Sequence, residues 1–507
     1  RRRRGLSRVE SRPGDPVALA LSTDTLEVAV IGTGFGGIGA GVRLLDEGVT
    51  SFVLLERSSE IGGTWRDNTY PGCACDIPSV LYSFSFAPNP EWTRHYPQQP
   101  EIERYLLSVV ERSGLRSRIE FGFDVAEVRL DETAGVWSIR SVDGREVRAH
   151  SVISATGPLS RPSMPKIPGL DSFAGPLFHS AAWRHDVDLT GLRVGVIGTG
   201  ASAIQFVPEI APRAAHVTVF QRTAPWVLPR EDSETSARRR ALHRRLPWLQ
   251  RLARWRVYLR QEMLGLAFHG RPRTRTRLAG KVREAVAEQI DAAITDPQRR
   301  RMVTPDYEPG CKRLLISNDW YPTLARDDVA LVTSDIVSVT PTGVITRDGT
   351  THEFDVLICG TGFAATEFLA PMRIFGRDGV ELSEHWRDGA RSVDGVAMHG
   401  FPDLWLLVGP NTGLGHNSIV FMIEAQLNLV LDALRHRGSS GDAPIEVSVR
   451  AETEWYEQVQ QRLVDTVWTS GCASWYRSDD GRVDTLWPGS TIAYWWRTRR
   501  FDPSSMR

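Results

Sequence analysis

Two segments, EVAVIGTGFGGIGAGVRLLDEG and LRVGVIGTGASAIQFVPEI, each set an apolar strand pattern directly before a glycine turn and an apolar-periodic helix. A second apolar strand follows each of them, SFVLLERS after the first and HVTVFQR after the second, completing a βαβ unit of the length a dinucleotide fold requires. Two such units mean two nucleotide sites. The expected class is therefore α/β, with two Rossmann-like dinucleotide-binding domains.

The turns differ in the charge that follows them. In the first, Gly32, Gly34 and Gly37 satisfy G-x-G-x-x-G, where glycine permits a tight turn, close approach to a pyrophosphate and close helix packing. Glu56, at the end of the next strand, offers its carboxylate to both ribose hydroxyls. In the second, Gly198, Gly200 and Ala203 form the G-x-G-x-x-A variant, and the next strand ends in Gln221-Arg222-Thr223 with no acid. A carboxylate repels a 2′-phosphate, whereas a guanidinium and a hydroxyl bind one, so NADPH is expected here over NADH. An acid on one ribose and a base on the other favour FAD in the first site and NADPH in the second.

With 507 residues, 41% apolar and 24% charged, the chain is long enough for two to three globular domains. Its 61 basic residues balance 61 acidic ones, so no net field calls for nucleic acid or an anionic membrane, and a neutral small-molecule partner is expected. Lys166, Lys281 and Lys312 are the only lysines, which leaves arginine as the other 58 of those 61 and makes a retained lysine informative. The five cysteines (Cys73, Cys75, Cys311, Cys359 and Cys472) are too few for a disulfide framework, which suits a reducing cytoplasm. The C-x-C of Cys73 and Cys75 lacks a second ligand pair, so no metal is expected.

Residues 1–24 read as a flexible tail, and their apolar patch VALAL is too short for a signal-peptide core or an integral membrane span. Further on, 25–160 is assigned to the first part of the FAD domain and 161–230 to a linker and the first part of the NADPH domain. A helical insertion at 231–301, the rest of the NADPH domain at 302–385, and the rest of the FAD domain with a C-terminal lid at 386–507 complete the division. The insertion holds nine arginines between Arg238 and Arg260, and the general preference for arginine favours a solvated helix face over a membrane or nucleic-acid surface.

Between the two turns stands FAGPLFHSAAW, with Phe173, Gly175, His179 and Trp183 at the spacing F-x-G-x-x-x-H-x-x-x-W. Upstream, GTWRDNTYPGCACD from Gly63 to Asp76 meets G-x-W-x-x-x-x-Y-P-G-x-x-x-D, and GCKRLLISNDWYPTLARDDV carries the pair Lys312-Arg313. In these marks the chain resembles the type I Baeyer–Villiger monooxygenases, within the flavin-dependent monooxygenases. The C-terminal half is most similar to the branch that includes hydroxyacetophenone monooxygenases. Arg184 departs from the Pro or Asp that often follows the Trp of the fingerprint. Ser474-Trp475-Tyr476 matches the start of a loop over the nicotinamide, but Arg477 to Asp480 departs from the glycine and asparagine that continue it in many relatives.

The resemblance implies that the fingerprint joins the FAD and NADPH domains, with His179 a hydrogen-bonding strut more than an acid–base catalyst. It implies reduction of FAD by NADPH, addition of O2 at flavin C4a, and attack of the peroxyflavin on a ketone to give an ester or lactone. Arg313 would supply the fixed positive charge, since arginine keeps its proton and presents several donors in a fork, and Asp76 would hold it over the flavin. Lys312 would join Arg222 and Thr223 at the 2′-phosphate. Thr64, Trp65, Asp67, Tyr82 and Val125 would lie near FAD, and Asn417 of GPNTGLGHN near the isoalloxazine, where a glycine-rich turn before a helix has free N–H groups. Oxygenation at sulfur or nitrogen is the alternative with the same flavin chemistry. A flavoprotein disulfide reductase would need a C-x-x-C that is not found here, and a non-catalytic dinucleotide-binding protein would have no use for both Arg313 and Asp76.

Overall fold

The computed structural model describes residues 25–441, 443–471, 476–477 and 481–505. The tail expected at 1–24, and Ser474, Trp475 and Asp480 of the expected lid, lie outside the described residues.

The strand Leu26–Ile31, buried from Val28 onward, forms the middle of an eight-stranded sheet. It pairs in parallel with Phe52–Leu55 on one side and Glu146–Ser154 on the other. Beyond Glu146–Ser154 the sheet continues through the antiparallel strands Val136–Ser141 and Val125–Asp131, with Ile119–Glu120 at the opposite edge. The helices Phe35–Asp46, Gln99–Ser113 and Ile419–Ser439 pack together against it, because their apolar residues share one buried cluster with Val28, Val30, Phe52 and Leu54.

A second sheet holds five parallel strands in the order Val329–Val332, His216–Phe220, Arg193–Ile197, Val356–Cys359 and Leu177–His179. Its second and third strands are those read from the sequence. Its edge strand is the centre of the fingerprint, so only the part before Leu177 is a connection. The chain is back in the first sheet by Arg373–Phe375, which pairs with Val125–Asp131, ahead of the boundary expected at 385/386. A three-residue edge strand that opens on arginine carries too little apolar pattern to be read in advance.

The two crossings between the sheets run side by side as one antiparallel ribbon. Ser163 N–H donates to Gly362 O at 2.9 Å and Ala364 N–H to Arg161 O at 3.0 Å, while the Thr361 hydroxyl donates to Ser163 O at 2.6 Å.

The insertion forms the helices Ala237–Arg245, Pro247–His269, Pro272–Ala293 and Pro297–Val303, the last three opening on a proline whose missing N–H would have no helical partner anyway. The outward ridge of Pro247–His269 is apolar, whereas a solvated arginine face was expected. Cys73, Cys75 and Cys359 are buried free thiols. Cys311 is disulfide-bonded, contrary to the expectation drawn from the cysteine count. A count excludes a framework of bridges but not one pair brought together by the fold.

Candidate functional site

The first turn is built around atoms that leave no room for side chains. Gly32 has a φ of +99°, and a Cβ on it would lie 2.8 Å from Ala155 O. A Cβ on Gly37 would overlap the Gly32 carbonyl, so the helix Phe35–Asp46 lies directly on the turn. Gly34 is different, since a Cβ there would meet only Gly63 Cα at 3.8 Å, which leaves an open cradle at the start of a helix with no acid in its first turn. That is the space and the polarity a pyrophosphate needs.

Glu56 closes the cradle from the next strand end and is 3% exposed. Its Oε2 accepts the Thr33 N–H at 3.1 Å and the Thr33 hydroxyl, and its Oε1 accepts from Ser58 N–H at 2.9 Å and Arg66 at 2.9 Å. Thr33 and Arg66 therefore set the carboxylate, and neither was singled out in the sequence. These four donors take up the four acceptor positions of the carboxylate, so a ribose hydroxyl would have to displace one of them, such as the Thr33 hydroxyl.

Thr64–Asp67 forms a single helical turn beside this cradle. Trp65 Nε1–H donates to the Tyr82 hydroxyl at 3.0 Å, and the Tyr82 ring lies 5.0 Å from Phe35 and 5.6 Å from Trp65, centroid to centroid, forming an aromatic wall. Asp67 is engaged by Arg66 at 2.8 Å. Val125 starts the strand that follows Phe123, whose N–H donates to Glu56 O at 2.8 Å, so it lies on the Glu56 side of the cradle.

From Tyr70 to Asp76 the chain is clamped to the second sheet's lobe. Gln205, on the helix Ala203–Ile210 that leaves the second turn, accepts from the Tyr70 hydroxyl at 3.0 Å and donates to Ala74 O at 3.0 Å. A Cβ on Gly72 would lie 2.8 Å from Gln205 O, which explains a glycine in Tyr70-Pro71-Gly72. Gln205 carries no motif, and only its long-range partners reveal it.

This clamp delivers Asp76 to Arg313. Arg313 Nε–H and Nη2–H both donate to Asp76 Oδ2, at 2.8 and 2.6 Å, with the side chains only 28% and 25% exposed. Asp76 holds the guanidinium well above its ordinary pKa despite burial, and Tyr476 faces it as well. Burial pushes the Cys75 thiol and the Tyr82 and Tyr476 hydroxyls up, so these neighbours stay neutral at neutral pH. Fixed charge here thus comes from the Asp76–Arg313 pair, drawn from segments 237 residues apart.

At the second turn Gly198 has a φ of +109°, and a Cβ would lie 2.5 Å from Gly360 O, while Ala203 is fully buried. Gly200 has open space, with Gly360 O 3.8 Å away from a hypothetical Cβ, which gives a second cradle. The Thr199 hydroxyl donates to Thr223 O at 3.3 Å, tying the turn to the strand end that presents Arg222. Lys312 lies with Nζ 4.8 Å from the Tyr307 ring centroid. Burial lowers its pKa, and Arg222 lowers it further by repulsion, so two cations converge on one patch with Asp306 opposing. That patch suits a 2′-phosphate.

The fingerprint residues support the lobe connection. A Cβ on Gly175 would overlap Asp355 O and lie 2.8 Å from the Phe173 ring, so only glycine fits. His179, 4% exposed, accepts the Ala181 N–H at Nδ1 at 3.1 Å and sets its ring edge-on to Phe363 of the ribbon at 5.8 Å. Burial lowers its pKa, which keeps the ring neutral at neutral pH. Trp183 packs 5.3 Å from both Phe178 and Phe206.

Asn417 is already occupied. Its amide donates to Glu262 at 2.7 Å and to Thr491 at 3.3 Å, and its oxygen accepts the Ser418 N–H at 2.7 Å. It thereby knots the insertion, the GPNTGLGHN turn and the helix Thr491–Thr498 together. Glu262 lies in an insertion whose packing no motif announces.

The flavin-binding monooxygenase-like family matches residues 25–253. A Baeyer–Villiger monooxygenase of Streptomyces coelicolor is 47% identical over 479 residues, covering 94% of this chain and 91% of its own. One of Pseudomonas aeruginosa is 43% identical over 481 residues, covering 94% and 90%. Among solved structures, a steroid monooxygenase bound to NADP matches at a TM-score of 0.82 and 32% identity, covering 94% of this chain and 97% of that one. A cyclohexanone monooxygenase from Rhodococcus bound to NADP+ matches at 0.83 and 29%, with the same coverage. The chain therefore belongs to the Baeyer–Villiger monooxygenases of the flavin-binding monooxygenase-like family, enzymes that work with FAD and NADPH.

Proposed function

We propose that the chain converts an apolar ketone to an ester or lactone, with Arg313 as the catalytic cation and Asp76 as the residue that positions it. The observation that carries this reading is the paired bond from Nε and Nη2 of Arg313 to one oxygen of Asp76. Gly32, Gly34, Gly37 and Glu56 would hold FAD, which after reduction by NADPH would activate O2, so that one oxygen atom enters beside the carbonyl and the other leaves as water.

The chain's own residues then have distinct tasks. The Gly34 cradle and the Gly200 cradle hold the two pyrophosphates. Arg222, Thr223 and Lys312 hold the 2′-phosphate, and the aromatic wall of Trp65 and Tyr82 excludes water from the flavin side. Two of the five guanidinium donors of Arg313 are spent on Asp76, and the remainder can meet the negative charge that develops on the carbonyl oxygen. Asp76 limits the rotation of Arg313, so no reorganisation is needed at the moment of reaction. The FAD-binding lobe comprises 25–160 together with the chain from Arg373 on, and the NADPH-binding lobe the intervening part with its insertion. A cytoplasmic setting is supported by the three unpaired buried thiols and opposed by the disulfide at Cys311.

The deciding experiment is Arg313→Ala, assayed for flavin reduction by NADPH and, separately, for ester formed from cyclic and aryl ketones. Reduction should persist and ester should vanish. Ester formation at the original rate would remove Arg313 from the mechanism, and turnover of sulfides alone would move the enzyme to heteroatom oxygenation.

A further inference from the structure

The helix Pro247–His269 is built inside out. Its buried side is largely polar: Gln250 donates to Asn89 O at 2.6 Å, and Arg254 donates to Val80 O and Ser83 O at 3.0 and 2.8 Å. On the same side Tyr258 meets the Thr491 hydroxyl at 2.9 Å. The opposite side carries Trp248, Leu252, Trp255, Leu259, Met263 and Leu266, at i, i+4, i+7, i+11, i+15 and i+18, each between 42% and 61% exposed. This spacing makes one continuous stripe along five turns. A surface helix ordinarily turns such a stripe to the core, and a contiguous exposed apolar strip marks an interaction site.

The charge around the stripe is one-sided. From Ala237 to Lys281 the chain has fourteen arginines and lysines and a single carboxylate, Glu262, although the whole chain is neutral. Glu262 is taken up inside, on Asn417 and Thr491. Arg244 is paired with Glu91, and Arg260 with Glu231. Arg251 and Arg256 flank the stripe on its two sides, exposed, and make no ion pair among the described residues.

We propose that this face docks on the anionic surface of a lipid bilayer, with the tryptophan and leucine stripe at the boundary of headgroups and acyl chains and the flanking arginines at the phosphates. Charge complementarity selects this occupant. A second copy meeting the same stripe would set its own arginine rows against these, like charge on like. An apolar face rimmed by arginine with tryptophan in it matches the interfacial zone of an anionic bilayer, and the anchoring is peripheral, since no helix among the described residues is long and apolar enough to cross a membrane. The helix's other side holds Gly265 against the ring of His416 in the GPNTGLGHN turn, so docking would put that turn about one helix diameter, roughly 10 Å, from the lipid.

The test is flotation of the FAD-loaded full chain with vesicles of phosphatidylcholine alone and of phosphatidylcholine with phosphatidylglycerol in equal parts. The protein should float with the anionic vesicles and stay behind with the neutral ones, and added salt should weaken the binding. Two double variants, Trp255→Ser with Leu259→Ser and Arg251→Glu with Arg256→Glu, should each lower the bound-to-free ratio at least about tenfold. Both should keep the FAD content and the NADPH oxidation rate of the parent, which shows that they fold. No flotation with anionic vesicles, or flotation that both variants retain, overturns the proposal. So does a parent dimer that the Trp255→Ser, Leu259→Ser variant converts to monomer in the absence of vesicle binding, which would assign the stripe to a second copy.

Discussion

Arg222 and Lys312 converge on one patch, and removing them separately should separate NADPH from NADH. A unit charge about 4 Å from another contributes about 1 kcal/mol in water and about 4 kcal/mol near a protein surface. Lys312 is half withdrawn from water, so Lys312→Ala should cost about 2 kcal/mol of affinity for the 2′-phosphate, roughly thirtyfold in KM for NADPH. Arg222 is exposed and screened, so Arg222→Ala should cost less, about tenfold. NADH has no 2′-phosphate, and its KM should change less than about twofold in either variant. The mutual repulsion gives a second readout. Lys312 has its pKa lowered by burial first and by Arg222 next, so its charge, and with it NADPH affinity, is lost at a lower pH than for a free lysine. Arg222→Ala should therefore move the alkaline rise of the NADPH KM to higher pH while raising KM at every pH below it. Steady-state kinetics with both nucleotides across pH provide the assay. Equal losses for NADH and NADPH, or an alkaline limb that moves down, would refute the 2′-phosphate assignment.

Gly37→Ala should yield protein without FAD, because the new methyl overlaps the Gly32 carbonyl; flavin retained through gel filtration would contradict the packing. Glu56→Ala takes one carboxylate from Arg66 but leaves it Asp67, and should lower stability by about 1–2 kcal/mol along with FAD affinity, read by chemical denaturation with and without added FAD. His269, pushed down to about 4 by burial and then by His416, has a folded pKa below its unfolded value near 6.5. Its contribution to stability is thus complete above pH 6.5 and is lost as the pH falls toward 4. His269→Gln should flatten the unfolding free energy against pH across that window by up to about 3 kcal/mol, read by denaturant titration at each pH, and an unchanged slope would reject the assignment.

The parts legible in the sequence are those in which one short segment suffices to state a physical need. Gly32, Gly37 and Gly198 report a backbone that cannot carry a Cβ, and Glu56 and Arg222 report the charge at the end of the following strand. The Asp76–Arg313 pair was reached through a resemblance, because nothing in either segment alone says that they meet. Gln205, the Glu262 partner of Asn417 and the Arg66 partner of Glu56 were not reached at all. Each is an ordinary polar residue whose meaning lies in a contact made by folding. The apolar stripe on Pro247–His269 shows a related limit: periodicity reveals that a helix has a stripe, but which side meets the core depends on partners such as Asn89 and Val80, far away in sequence.

The ribbon formed by Ser163, Thr361, Gly362 and Ala364 has a mechanical consequence. The two lobes share two covalent tethers, yet hydrogen bonds fuse these into a single narrow strap, and the ring of His179 braces it at Phe363. The strap therefore does not act alone: the Tyr70–Asp76 clamp and a buried cluster shared by both sheets hold the lobes from the other side, so the angle at which the two glycine cradles face each other is set at three places, and a change in any one of them is felt at the other two.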